Sequence, residues 1–205
     1  MPKSPTKRRP RTVASLLDGA LEVFAERGFH GASIGDICDR AGLTRGAFYS
    51  NFRDKQELFL ALYDAQADRL IEFLDAAAET GRTTEDPIGH LMGMLAARQE
   101  EDRRWFLISS EFVLHAARDR EAARRLAERE DALCDRMAEA VGRTLAGAGR
   151  RPTLDLRELA RLLIALHQGC NALRLTDEAR GEAGDLHRRM LPLLIHVLSE
   201  ETAPR

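Results

Sequence analysis

Residues 14–59 read ASLLDGALEVFAERGFHGASIGDICDRAGLTRGAFYSNFRDKQELF, and the spacing of apolar residues through this stretch decides the fold. Val13, Leu16, Leu17, Ala20, Leu21 and Phe24 recur at the three- and four-residue steps of one helical face, and Gly28 follows as a stop signal. Ser33 stands three residues before Asp36, a capping-box arrangement that satisfies free N–H groups at the start of a second helix. Ile34, Ile37 and Ala41 face inward from that helix, and Gly42 ends it. Thr44 is a good N-cap for a third helix, in which Phe48 and Phe52 lie one turn apart. Asp54 opens a fourth, whose Leu58, Phe59, Leu62, Tyr63, Leu70, Phe73 and Leu74 keep a helical period to about Ala78.

Outside this stretch, breaks rich in Gly, Pro, Thr or charge fall at Thr80–Pro87, Gly147–Thr153 and Thr176–Gly184. They leave five further helices near 88–101, 103–118, 120–146, 155–175 and 185–199, with Pro192 expected to kink or restart the last. No strand alternation appears, so the expected fold class is all-α with about nine helices. The chain of 205 residues is 44% hydrophobic, 31% charged and only 5% aromatic, which excludes disorder and disfavours an all-β fold. Its apolar runs, such as Leu162–Leu166, are far short of the roughly 18 to 20 residues that span a membrane. The N-terminus is basic with no apolar stretch behind it, so a soluble, cytoplasmic protein with no membrane partner is expected.

Candidate chemistry is sparse. Cys38, Cys134 and Cys170 are odd in number and widely separated, which suggests neither a disulfide framework nor a zinc site. They read as small core hydrophobes, with a redox-sensing thiol as the alternative. The six histidines show no metal-binding spacing. No phosphate-cradling glycine loop or nucleophile elbow occurs either, so no catalytic residue, metal or cofactor is expected.

The charge is uneven. Residues 1–56 hold ten Lys/Arg against six Asp/Glu, whereas the remainder holds 21 against 27. Lys3, Lys7, Arg8, Arg9 and Arg11 precede the first acid, and Pro2, Pro5 and Pro10 are expected to keep residues 1–10 from forming a helix. That segment reads as a basic arm for nucleic acid or as a solvated tail. Behind it, residues 11–56 form a helix-turn-helix pattern: two short helices joined by a glycine turn after an amphipathic first helix. Ile37, Ala41, Leu43 and Phe48 make the small core between them and leave the other face of the third helix free for a major groove. Arg45 can donate twice to a guanine edge, Gly46 allows close backbone approach, Ala47 can meet a thymine methyl, and the Tyr49 hydroxyl can reach a phosphate. Lys55 supplies further positive charge.

On these residues the stretch resembles the DNA-binding domain of the TetR/AcrR family of transcriptional regulators. The resemblance rests on Phe24-x-x-x-Gly28, on Ala41-Gly42-Leu43-Thr44, on Gly46, Tyr49 and Phe52, and on Lys55-x-x-Leu58. It departs at Cys38, where the family usually has alanine, and at Ser50-Asn51, where bulkier residues are frequent. The resemblance implies DNA contacts at Ser33, Thr44, Arg45, Gly46, Ala47, Tyr49, Ser50, Asn51 and Lys55. Thr44, Tyr49 and Lys55 would then meet phosphates, and Arg45, Gly46, Ala47 and Ser50 would lie nearest the bases.

The later chain resembles the family loosely, at Glu111-Phe112 with Ala116–Asp119 and at Ala165-Leu166 with Gly169 and Leu173. The implied domain over 57–199 is helical, binds a small molecule and forms a homodimer through the helices near 155–175 and 185–199, with 200–205 a tail. The excess of apolar residues on those two helices fits an intersubunit bundle. Met92, Leu95, Trp105, Ile108 and Phe112 are candidates for the ligand-site wall, or for ordinary core. Glu111, His115, His167 and Asn171 sit among apolar residues, so each must orient a ligand, pair with a neighbour or reach solvent. The expected function is a ligand-released repressor on a pseudopalindromic DNA operator. An activator with the same domain and a helical enzyme or binding bundle are the alternatives.

Overall fold

In the computed structural model, which describes residues 8–180 and 186–202, α1 (Arg8–Gly31) changes direction at Gly28, whose φ of 71° and ψ of 170° are not helical. The stop expected there is therefore a corner, after which one further turn forms and Ala32 N–H donates to Gly28 O at 3.2 Å. At its other end α1 includes Pro10, correcting the expectation that the proline would keep this segment non-helical. A first-turn proline lacks only an N–H that has no intrahelical partner anyway. The expected arm residues 1–7 lie outside the described residues; Arg9 and Arg11 are exposed on α1.

The two short helices form on the expected caps. In α2 (Ile34–Ala41), Asp36 N–H donates to Ser33 Oγ at 3.1 Å, and Ser33 N–H donates back to Asp36 Oδ2 at 3.0 Å. Gly42 ends it in the left-handed conformation, φ 65° and ψ 31°, which a side chain rarely tolerates. In α3 (Arg45–Tyr49), Thr44 Oγ1 accepts from Ala47 N–H at 3.2 Å. Arg40 of α2 reaches both Glu22 and Glu26 of α1 at 2.7 Å, which links those helices at the surface. Asp54 caps α4 (Lys55–Gly81), which runs three residues past Ala78.

The remaining order is α5 (Pro87–Ala97), α6 (Gln99–Ala116), α7 (Arg120–Gly147), β1 (Arg150–Pro152), α8 (Leu156–Arg180), α9 (Leu186–Val197) and β2 (Ser199–Glu201). The break between α5 and α6 falls at Arg98, earlier than the sequence suggests. The two strands are a correction to the expectation of none, and to a tail starting at residue 200. They pair antiparallel, with Arg150 opposite Glu201 and Pro152 opposite Ser199, and three residues are too few for alternation to register. The all-helical class stands. Among the described residues no helix is long and apolar enough to cross a membrane.

Two compact units are present, and neither is continuous in sequence: residues 1–66 with 107–129, and residues 67–106 with 130–205. In the first, Leu16, Ala20, Val23, Phe24, Ile37, Phe48, Phe59 and Phe112 are buried. In the second, one apolar cluster centres on Ile71, Leu74, Leu91 and Ala140, and another on Leu145, Leu159, Leu163, Leu191 and Ile195.

Candidate nucleic-acid interface

α3 buries Phe48 completely and leaves Thr44, Arg45, Gly46, Tyr49 and Ser50 exposed, with Ala47 and Asn51 half-buried. The division follows from helix geometry: Phe48, one turn before Phe52, turns into the core, and the residues around Arg45 and Tyr49 turn out. Thr44 spends its oxygen on the Ala47 N–H, and this cap orients the first turn that carries Arg45. Arg45 lies alongside Gly35 of α2, where a Cβ would meet the guanidinium. Ser50 Oγ and Asn51 Nδ2 both donate to Ala47 O, at 2.9 and 2.8 Å, so these two side chains fold back on the end of α3. Ser33 is exposed but engaged in its capping box. Its hydrogen bonds to Asp36, together with Arg27, hold that carboxyl below the usual carboxylate range.

Lys55 is placed differently from the phosphate contact that the resemblance implies. Its Nζ donates to Phe29 O at 2.5 Å and Ala32 O at 2.7 Å, lies 3.5 Å from His30 O, and sits 4.7 Å from the Phe29 ring centroid. A cation on the carbonyl end of a helix is favourable in itself. Burial pushes its pKa down. This side chain therefore ties the start of α4 to the end of α1. Lys55→Met should lower the stability of the chain by about 1–3 kcal/mol in urea titrations, because three carbonyls lose a charged donor. It should leave the log–log salt slope of DNA binding unchanged. A slope smaller by about one, with stability intact, would instead mark a direct phosphate contact.

The nine candidate ligand residues divide between the two units. Ile108, Glu111, Phe112 and His115 belong to the first, together with α1–α3. There Ile108 and Phe112 are buried, and Phe112 stacks on Phe59 at 3.8 Å. Glu111 Oε2 accepts from Phe29 N–H at 2.7 Å, beside Gly28, where a Cβ would overlap the carboxylate. His115 Nε2 lies 3.0 Å from Gln56 Nε2, and its ring packs near Phe29 and His30. Glu111, Phe112 and His115 thus have partners within the first unit, and Ile108 is buried in it.

Met92, Leu95, Trp105, His167 and Asn171 belong to the second unit. Met92 and Leu95 pack against both the Leu91 and the Leu159 clusters, Trp105 is half-buried, and Asn171 Nδ2 lies 3.0 Å from His167 Nε2 one turn away. Burial, and then the positive charge of Arg98, push the His167 pKa below its ordinary value. The folded state thus binds this proton less readily than the unfolded chain. Well above the ordinary value of about 6.5 the group has no effect on stability, and as pH falls below it stability is lost. His167→Gln should remove that part of the loss between about pH 7 and 5.5, read as urea midpoints. Equal pH dependence in both proteins would show that His167 is not held neutral.

A helix-turn-helix with one buried and one exposed face on its second helix is the arrangement by which DNA-binding proteins place that helix in a major groove. Residues 16–62 match the model of the bacterial regulatory proteins of the tetR family. The chain is 41% identical over 72 residues to the transcriptional activator FasR of Mycolicibacterium smegmatis, covering 35% of this chain and 33% of that protein. It is 33% identical over 129 residues to the transcriptional repressor Rv1474c of Mycobacterium tuberculosis, covering 63% and 64%. The chain thus spans about a third of the first relative's length and just under two thirds of the second's. A tetR-family regulator from Rhodococcus sp. shares the fold over 92% of this chain and 98% of its own, with a TM-score of 0.74 at 21% identity. Residues 16–62 thus carry the tetR-family domain, and the chain shares the all-helical fold of that solved regulator.

Proposed function

We propose that the protein is a repressor that binds a pseudopalindromic DNA operator as a homodimer in the cytoplasm and is released by a small apolar or amphipathic molecule. The exposed face of α3, with Arg45 and Tyr49 presented by the Thr44 cap, carries this reading. It supplies one reading helix, and a two-fold dimer supplies two at a fixed spacing. For the dimer, α8 and α9 offer an apolar surface: Leu173 is 51% exposed, Leu193 55% and Val197 69%, with Leu162 and Leu186 also exposed. Such side chains at helical spacing suit a self-complementary interface. Repression is favoured by the kinship to Rv1474c, which covers more of the chain than the match to the FasR activator.

A double substitution, Leu193→Asp with Val197→Asp, tests the dimer. Sedimentation should show the wild type at twice the chain mass and the variant at one, with operator affinity strongly reduced. A wild type that sediments as a monomer while binding DNA with full affinity would overturn the dimeric reading.

A further inference from the structure

Arg98 lies in the turn between α5 and α6, and nothing in the sequence distinguishes it from a solvated surface charge. In the structure only 21% of its side-chain surface is exposed. Its guanidinium carbon stands 4.5 Å from the centroid of the Phe73 ring. Its buried Nε has no hydrogen-bond partner among the described residues. The acids near it are held at arm's length, Glu101 at 3.5 Å and Asp102 at 3.8 Å, longer than a charge-assisted hydrogen bond. Phe73 packs in turn against the cluster that holds Met92 and Leu95. A permanent cation with an unused donor thus stands against Phe73, which packs on the same apolar cluster as Met92 and Leu95.

Leaving such a donor unmade costs free energy that an incoming acceptor restores. We propose that Arg98 is the anchor for the anionic head of the effector, an amphipathic carboxylate whose apolar body lies along Phe73, Met92 and Leu95. This rests on the reading of the protein as a ligand-released regulator. A planar guanidinium matches a carboxylate with two parallel N–H···O bonds. One guanidinium, already facing Glu101 and Asp102, has too little charge to spare for a phosphate dianion and suits a monoanion. Met92 can re-pack around chains of different length.

The test uses the full chain and n-alkyl carboxylates from hexanoate to hexadecanoate, each paired with the alcohol of the same length. Binding is read from Trp105, the single tryptophan, and release from an operator duplex. At least one acid should bind about tenfold or more tighter than its alcohol, as expected for a charge-assisted pair, and should weaken operator binding. Arg98→Gln should bring acid and alcohol to the same affinity, while Arg98→Lys, which keeps the charge without the fork, should restore part of the preference. Absence of any acid preference in the wild type, or its persistence in Arg98→Gln, overturns the proposal. Sequence-selective DNA binding without acid preference sinks the anchor and spares the regulator. Acid preference without any operator binding does the reverse.

Discussion

Phe112→Ala is expected to lower the unfolding free energy by about 3–5 kcal/mol, the usual cost of deleting a buried aromatic ring. Phe112 is fully buried in the unit that contains α1–α3. It stacks on Phe59 at 3.8 Å and 10°, and meets Phe29 edge-on at 5.0 Å and 88°. Phe29 in turn packs edge-on to Phe59 at 5.7 Å, so the three rings support one another and the corner at Gly28. Against a typical domain stability of about 5–15 kcal/mol this is a large fraction. DNA binding should be lost at lower urea and lower temperature, and Phe112→Leu should lose much less because it fills most of the volume. A ligand-wall role makes the opposite forecast: stability kept, and effector response lost. Urea titrations of the two variants separate them, and an unchanged midpoint in Phe112→Ala would contradict the packing described here.

Arg45→Ala should weaken operator binding by about 1–3 kcal/mol, roughly 5- to 150-fold, and relax the preference at one base pair. Arg45 is the first residue of α3, and in helix-turn-helix proteins the N-terminal residues of the second helix meet base edges. Its orientation depends on neighbours that do not themselves read bases: Thr44 caps the turn, and Gly35 leaves room for the guanidinium. Tyr49→Phe, by contrast, should weaken all sequences alike, since a phenol reaching a phosphate carries no base information. Titrations with matched and single-mismatch duplexes decide between these roles. A uniform loss for Arg45→Ala would assign it to the backbone instead.

The fold of the first unit was legible because its signals are local. Ser33 with Asp36, Gly42 and Thr44 each act within three or four residues, and the structure places all of them as caps. Gly28 was legible as an end but not as a corner, because the Glu111 carboxylate that receives the Phe29 N–H comes from 82 residues away. The same distance problem hides Lys55, whose carbonyl partners at and just past the end of α1 have no sequence pattern. It also hides the grouping of residues 107–129 with the DNA-binding helices, since periodicity reports that a helix has a buried face and not what it is buried against. Arg98 was missed for a related reason: its environment depends on Phe73 from α4, and the helix break that exposes this relation carries no glycine or proline.

On the proposed function, α3 reads DNA as one half of a symmetric pair. Selection of bound duplexes from a random pool, at a stated salt concentration, tests it most directly. Enriched sites should show inverted symmetry with half-site centres about 10 bp or a multiple apart, and that enrichment should be lost when Arg45 is replaced by alanine. Recovery of sequences without inverted symmetry, or the same sites from the Arg45→Ala protein, would contradict it.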